Sequence, residues 1–171
     1  MIATPPHRRA VLAAVLIAGA FAIGGCTPHR PPPPSRSFAG LPVSGTLADA
    51  RAAGFVHCVS DPISMRCRRS GVTIAGQGPY EAAVDLVGSD GNGGFDLLTL
   101  WSDHGEMAIL DAGDALERRG WRSCITGHDD VGDQQVYTHP HVPLIASMDI
   151  SYYAHRRLRL IPMAANFKRP C

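Results

Sequence analysis

Two stretches sixty-six residues apart read alike: Gly54-Phe55-Val56-His57-Cys58 and Gly120-Trp121-Arg122-Ser123-Cys124. Each puts an aromatic residue after a glycine, then a cysteine, and each follows a helical pattern and precedes a series of short strand patterns. The same offset sets Val84 on Ile150 and Leu86 on Tyr152 without a gap. An offset held from helix to third strand argues for a tandem duplication of an α-β-β-β-β unit, residues 44–101 and 110–163. A single α+β domain with chance similarity is the alternative. Either way the expected class is α+β, an antiparallel, disulfide-bonded sheet scaffold with helices on one face.

The local signals are these. Ser44-Gly45-Thr46 can cap a helix through Ala53 that Gly54 stops. Phe55 to Val59 and Met65 to Arg69 form a hairpin, and Gly71 to Pro79 is read as irregular. Ala82 to Val87 and Phe95 to Trp101 form a second hairpin around the turn-prone Ser89-Asp90-Gly91-Asn92-Gly93-Gly94. A helix carrying Ile109, Ala112 and Leu116 on one face ends at Arg119. Strands follow over Trp121 to Thr126, Gln134 to Thr138, Ile145 to Tyr153 and Arg157 to Pro162.

Ala10 to Gly25 carries no charge and follows His7-Arg8-Arg9. That span is short for a bilayer-crossing helix and fits the apolar core of a secretory signal. Four cysteines lie beyond Cys26, and an even number in an exported chain reads as disulfides. If Asp61-Pro62-Ile63-Ser64 is a turn, Cys58 stands across from Cys67, within disulfide reach. Cys124 then pairs with Cys171 and pins the C-terminal tail. A zinc site needs short ligand pairs that these spacings do not offer.

Ile23-Gly24-Gly25-Cys26 resembles the lipobox of bacterial lipoproteins. The resemblance implies diacylglycerol on the Cys26 sulfur, cleavage before Cys26 and acylation of the new amine. Several chains make such an attachment durable, at ~0.8 kcal/mol per buried methylene. Residues 1–25 are then the signal, 26–40 an acylated proline-rich tether through Pro31 to Pro34, and 41–171 the globular domain. Thr27 is not the aspartate that retains such proteins in the inner membrane, so the resemblance implies an outer-membrane anchor facing the periplasm. Arg8-Arg9 also resembles a twin-arginine signal, although Ala10-Val11-Leu12 does not continue that pattern.

The formal charge of the whole chain is +1. Removing residues 1–25 takes away two arginines and no acid, leaving −1, with no electrostatic footprint for nucleic acid. No G-x-S-x-G, H-E-x-x-H or P-loop pattern occurs. His128, Asp129, Asp130 and Asp133, with His139 and His141, form the densest polar cluster and the candidate set for a metal-binding or hydrolytic role, against a solvated turn. Asp90-Gly91-Asn92 resembles the start of a calcium loop, but Trp101 stands where its bidentate glutamate belongs. Asp103, His104 and Glu106 read as a cap rather than an acid–base group. Tyr152, Tyr153, His155, Arg156, Arg157 and Arg159 place aromatic and basic side chains around the last hairpin, types favoured at protein interfaces.

In element order the chain is similar to the tandem-repeat β-lactamase inhibitor proteins and to small periplasmic accessory modules, a likeness that implies binding rather than catalysis. The expectation is a non-enzymatic protein-binding or inhibitory lipoprotein. It needs no cofactor, and its partners are membrane lipid through Cys26 and an envelope protein. Cys26→Ser is expected to abolish incorporation of radiolabelled palmitate and to leave an unprocessed or soluble species; labelling that persists would remove the anchor.

Overall fold

The computed structural model describes residues 31–127, 133–150, 155–164 and 166–171. Cys26, His128, Asp129, Asp130, Tyr152 and Tyr153 lie outside the described residues. Among the described residues no helix is long and apolar enough to cross a membrane.

The elements in chain order are β1 (Arg36–Phe38), β2 (Leu41–Ser44), α1 (Leu47–Ala52), β3 (His57–Ser60), β4 (Ser64–Ile74), β5 (Gln77–Val87) and β6 (Leu98–Trp101). A 3₁₀ turn (Glu106–Ile109) then leads into α2 (Leu110–Arg118), followed by β7 (Arg122–Thr126), β8 (Gln134–His139), β9 (Val142–Asp149) and β10 (Leu158–Pro162). β1 falls within the stretch expected as tether and pairs with β2 in a separate two-stranded sheet. The other eight strands make one sheet in the order β3-β4-β5-β6-β10-β9-β8-β7, antiparallel throughout.

Direct cross-strand partners share a face, so the ladder can be followed from edge to edge. One row runs Cys58, Cys67, Val84, Leu98, Leu160, Ala146, Tyr137, Ser123. Its six central members are buried, and α2 packs over this face against β5 and β8. Leu98, Leu100, Leu158 and Leu160, at the junction of the two halves, have no exposed surface. Burying each contributes roughly 1.5–3 kcal/mol.

Both helices end alike. Gly54 and Gly120 each adopt φ of 86°, and the amides of Phe55 and Trp121 donate back to the Ala50 and Leu116 carbonyls. A side chain is disfavoured at that φ, which makes glycine the natural stop. The cap expected within Ser44-Gly45-Thr46 is Thr46, which forms a reciprocal capping box with Asp49 at the start of α1.

Beyond the helix ends the offset of sixty-six does not carry into the ladder. The row through Cys124 runs Val136, Ser147, Arg159, Thr99, Ala83, Arg68, His57. Cys124 therefore lies on the face opposite Cys58, and Val84 shares its row with Ala146 rather than with Ile150. Side chains alternate with a period of two, so a slip of one residue reverses the face.

The expected irregular stretch 71–79 is instead the end of a long hairpin. β4 and β5 continue to Ile74 and Gln77 around a two-residue Ala75-Gly76 turn with both φ positive, and two register shifts, between Arg69 and Val72 and between Val72 and Ile74, absorb the extra residues. Val72 and Ile74 enter the core. Conversely, the strand expected from Phe95 starts only at Leu98. Phe95 instead makes an isolated bridge to Gly45, with both backbone bonds at 2.9 Å.

Both disulfides join the cysteines that the spacing suggests. Cys58 and Cys67 are direct partners across β3 and β4, their Cα atoms 4.0 Å apart. The Asp61 side chain closes that turn by accepting from the Ile63 and Ser64 amides. Cys124–Cys171 returns the C-terminal tail onto the face away from the helices. Each bridge contributes roughly 2–4 kcal/mol.

Small residues let α2 lie close to the sheet: Ala112, Gly113 and Ala115 are buried beside Leu116. A Cβ on Gly113 would overlap Tyr137 Oη and crowd Met148 Cε. Gly→Ala inside a helix ordinarily gains ~1 kcal/mol. Here Gly113→Ala is expected to lower stability by ~1–3 kcal/mol, read as a fall in thermal midpoint that Tyr137→Phe partly restores. A rise in the single variant would contradict the close approach of α2 to β8.

Candidate functional site

The face away from the helices is built by the alternate residues of the same strands. Arg66 and Arg68 straddle the inward-facing Cys67 on β4, so both project outward, and Asp85 lies directly across from Arg66. Arg66 Nε and Nη2 grip the two Asp85 oxygens at 2.6 and 2.8 Å, a fork geometry that only arginine offers. Beside it, Arg68 faces Ala83, which is too small to block its path. The guanidinium extends over Trp101 on β6, 5.7 Å from the ring centroid. The Trp101 indole N–H donates to Asp103 at 2.9 Å.

The far wall comes from β10 and the residues before it. Arg159 pairs with Asp149 at 2.8 Å, and Gln134 also donates to that carboxylate while accepting from Ser147 Oγ at 2.8 Å. Burial pushes the Asp149 carboxyl upward, but the bonds from Arg159 and Gln134 and the nearby charge of Arg157 outweigh it, and the net displacement is downward. His155 Nδ1 meets Glu106 Oε1 at 2.8 Å across the rim. Between these walls lies a groove of about 680 Å³ lined by Arg66, Arg68, Thr99, Trp101, Arg156, Arg157 and Arg159, among others. A second cavity of about 800 Å³ reaches the β3 edge and shares Arg66, Arg68 and Asp85 with the first.

The charges divide into two groups. Arg66 and Arg159 are committed to carboxylates. Among the described residues Arg68, Arg156 and Arg157 form no salt bridge. Burial is also uneven along this face. Over β8 and β9, Val136, Thr138 and Ile145 are buried, and the tail returns there. Met163 N donates to the Pro143 carbonyl, Arg169 to Pro140, and Cys171 Sγ lies 3.4 Å from the Val136 carbonyl oxygen. The groove occupies the part of the face that the tail leaves open.

Of the residues singled out in the sequence, Arg156, Arg157, His155 and Arg159 converge on this groove. Arg66, Arg68, Asp85, Thr99 and Trp101 were missed. The alternation Arg66-Cys67-Arg68 signals a shared face, but only the β6–β10 pairing brings that face to Arg159. His139 and His141 lie elsewhere, with ring centroids 5.8 Å apart in an aromatic string with Trp121 and Phe38. Among the described residues no three His, Cys, Asp or Glu side chains converge as a metal ion requires. Asp90 closes a turn by accepting from the Asn92 amide. Asp103 holds Trp101, and Glu106 holds His155.

No known protein family, curated protein or solved structure matches this chain.

Because the Asp149 carboxyl is held below its ordinary 3.8, its contribution is complete above that value and is lost as pH falls through the lowered one. Asp149→Asn is expected to cost ~1–3 kcal/mol at pH 7 by leaving Arg159 without its carboxylate. In thermal unfolding across pH, the gap to the parent should close below about pH 4. A gap that stayed constant to pH 2 would show that charge is not what Asp149 supplies.

Proposed function

We propose that this chain is a bacterial lipoprotein, held through acylated Cys26 and facing the periplasm, at the outer membrane rather than the inner one. It presents a disulfide-braced domain that binds another envelope protein without catalysis, as an inhibitory or accessory module. We also read its two halves as copies of one α-β-β-β-β unit whose strands have since slipped in register. The mirrored strand order and the matched helix ends at Gly54 and Gly120 support that reading.

The observation that carries the binding reading is the open sheet face. It holds a wide groove with an aromatic ring and three arginines that form no salt bridge among the described residues. Arginine and tryptophan are the types most enriched where one protein seats another. The groove's imidazole, His155, is paired with a carboxylate rather than a hydroxyl, an arrangement that suits holding a rim closed more than activating a nucleophile.

A photo-crosslinking residue in place of Val59, at the β3 end of the face, tests this in the native envelope. The expected result is a discrete adduct with one envelope protein, reduced at least tenfold in the Arg68→Ala, Arg156→Ala double variant. An adduct formed only from a crosslinker in place of Asp114, on α2, would move binding to the helical face and overturn the assignment.

A further inference from the structure

We infer that the groove takes an acidic, extended segment of a protein chain; this rests on the open face being the binding face. The charge inventory comes first. The trough floor is locally neutral where Arg66 meets Asp85 and Arg159 meets Asp149. Arg68, Arg156 and Arg157 supply positive charge without a salt-bridge partner among the described residues. Asp103 and Glu106 also line the groove, bonded to the Trp101 indole and to His155. Five arginines therefore stand against four carboxylates once Asp149 is counted, and the surplus of one positive charge lies with Arg68, Arg156 and Arg157; a local surplus is how a cleft selects the sign of its ligand.

Geometry then selects the kind of anion. Arg68 lies over Trp101, which limits its freedom, and an arginine ordered in advance loses less entropy on binding a carboxylate. The two cavities share Arg66, Arg68 and Asp85, so they form one trough from the β3 edge to β10. At ~4.8 Å between neighbouring strands, that crossing of four intervals spans roughly 19 Å. An extended chain rises ~3.3 Å per residue, so the trough accommodates about six residues. A single carboxylate or phosphate would occupy a small part of it. The trough also runs out at a sheet edge, where a longer chain can continue past the domain.

The test uses the acylated protein in nonionic detergent and fluorescence anisotropy of labelled hexaglutamate, with hexalysine as control. Saturable binding of hexaglutamate alone is expected, weakening with salt and falling about tenfold in each of Arg68→Ala and Arg157→Ala. Arg68→Lys, which keeps the charge but loses the guanidinium's bidentate fork, is expected to fall between them and the parent. Both positions are exposed, so unchanged thermal midpoints verify folding. Four results would overturn the inference: no binding of hexaglutamate, binding insensitive to the arginine variants, displacement by phosphate or citrate as effective as by unlabelled peptide, or capture by phosphatidylglycerol vesicles through the same arginines in preference to peptide. If hexaglutamate fails while the Val59 adduct persists, the acidic-segment inference falls alone. If both fail, the binding-face reading falls with it.

Discussion

β6 and β10 meet in three rungs: Leu100 with Leu158, Thr99 with Arg159, and Leu98 with Leu160. These strands are some sixty residues apart in sequence, and each closes a four-stranded run of its own. The outer rungs place four leucines at the centre of the buried face. The middle rung places Arg159 beside Thr99 on the other face, next to the strand that carries Trp101. The same short ladder thus unites two half-sheets over one core and assembles the groove from residues of both. Without it each half would be a four-stranded meander with one more exposed edge, a form that natural sheets avoid.

The two disulfides act at different scales. Cys58–Cys67 closes a loop of nine residues in sequence and fastens an edge strand to its neighbour. Cys124–Cys171 spans forty-seven and fixes the tail. By loop entropy alone the difference between them is about 1.5 kcal/mol. Their larger distinction is positional. The tail returns over β8 and β9, where Val136 and Ile145 are buried on the face opposite the helices. No equivalent segment covers β4 to β6 among the described residues. Two halves with the same strand order therefore present different surfaces, one closed by its own tail and one left with a charged groove.

Pairing keeps that groove from being merely a patch of arginines. Arg66 and Arg159 are satisfied by forked or buried carboxylates, which lowers local repulsion and orders the floor. Arg68, placed over the Trp101 ring, has an aromatic face instead of an acid beside it. A near-zero net charge conceals this arrangement, because summing charges along the chain discards where they stand.

Much of the architecture was legible from residue order alone. The glycine stops marked both helix C-termini and the Ser44-Gly45-Thr46 segment marked the start of the first helix, since only local backbone geometry is involved. The spacing of Cys58 and Cys67 around a turn-forming tetrapeptide placed them opposite one another, which left Cys124 and Cys171 as the second pair. The proposed lipid anchor rests on the resemblance of Ile23-Gly24-Gly25-Cys26 to a lipobox, a short motif that would act without any fold. The sequence also pointed to arginines near the last strand. What it left open was whatever depends on register and on contacts between distant strands. The Gly71–Pro79 stretch looks irregular until register shifts on either side of Val72 let Val72 and Ile74 face the core. Cys58 and Cys124 match in spacing yet face opposite ways, because a strand inverts its surface with a slip of one residue. Arg66, Arg68 and Trp101 become a site only because β6 pairs with β10. Tertiary structure decided that pairing, since local propensity can specify a strand but not the distant strand that satisfies its backbone and buries its leucines.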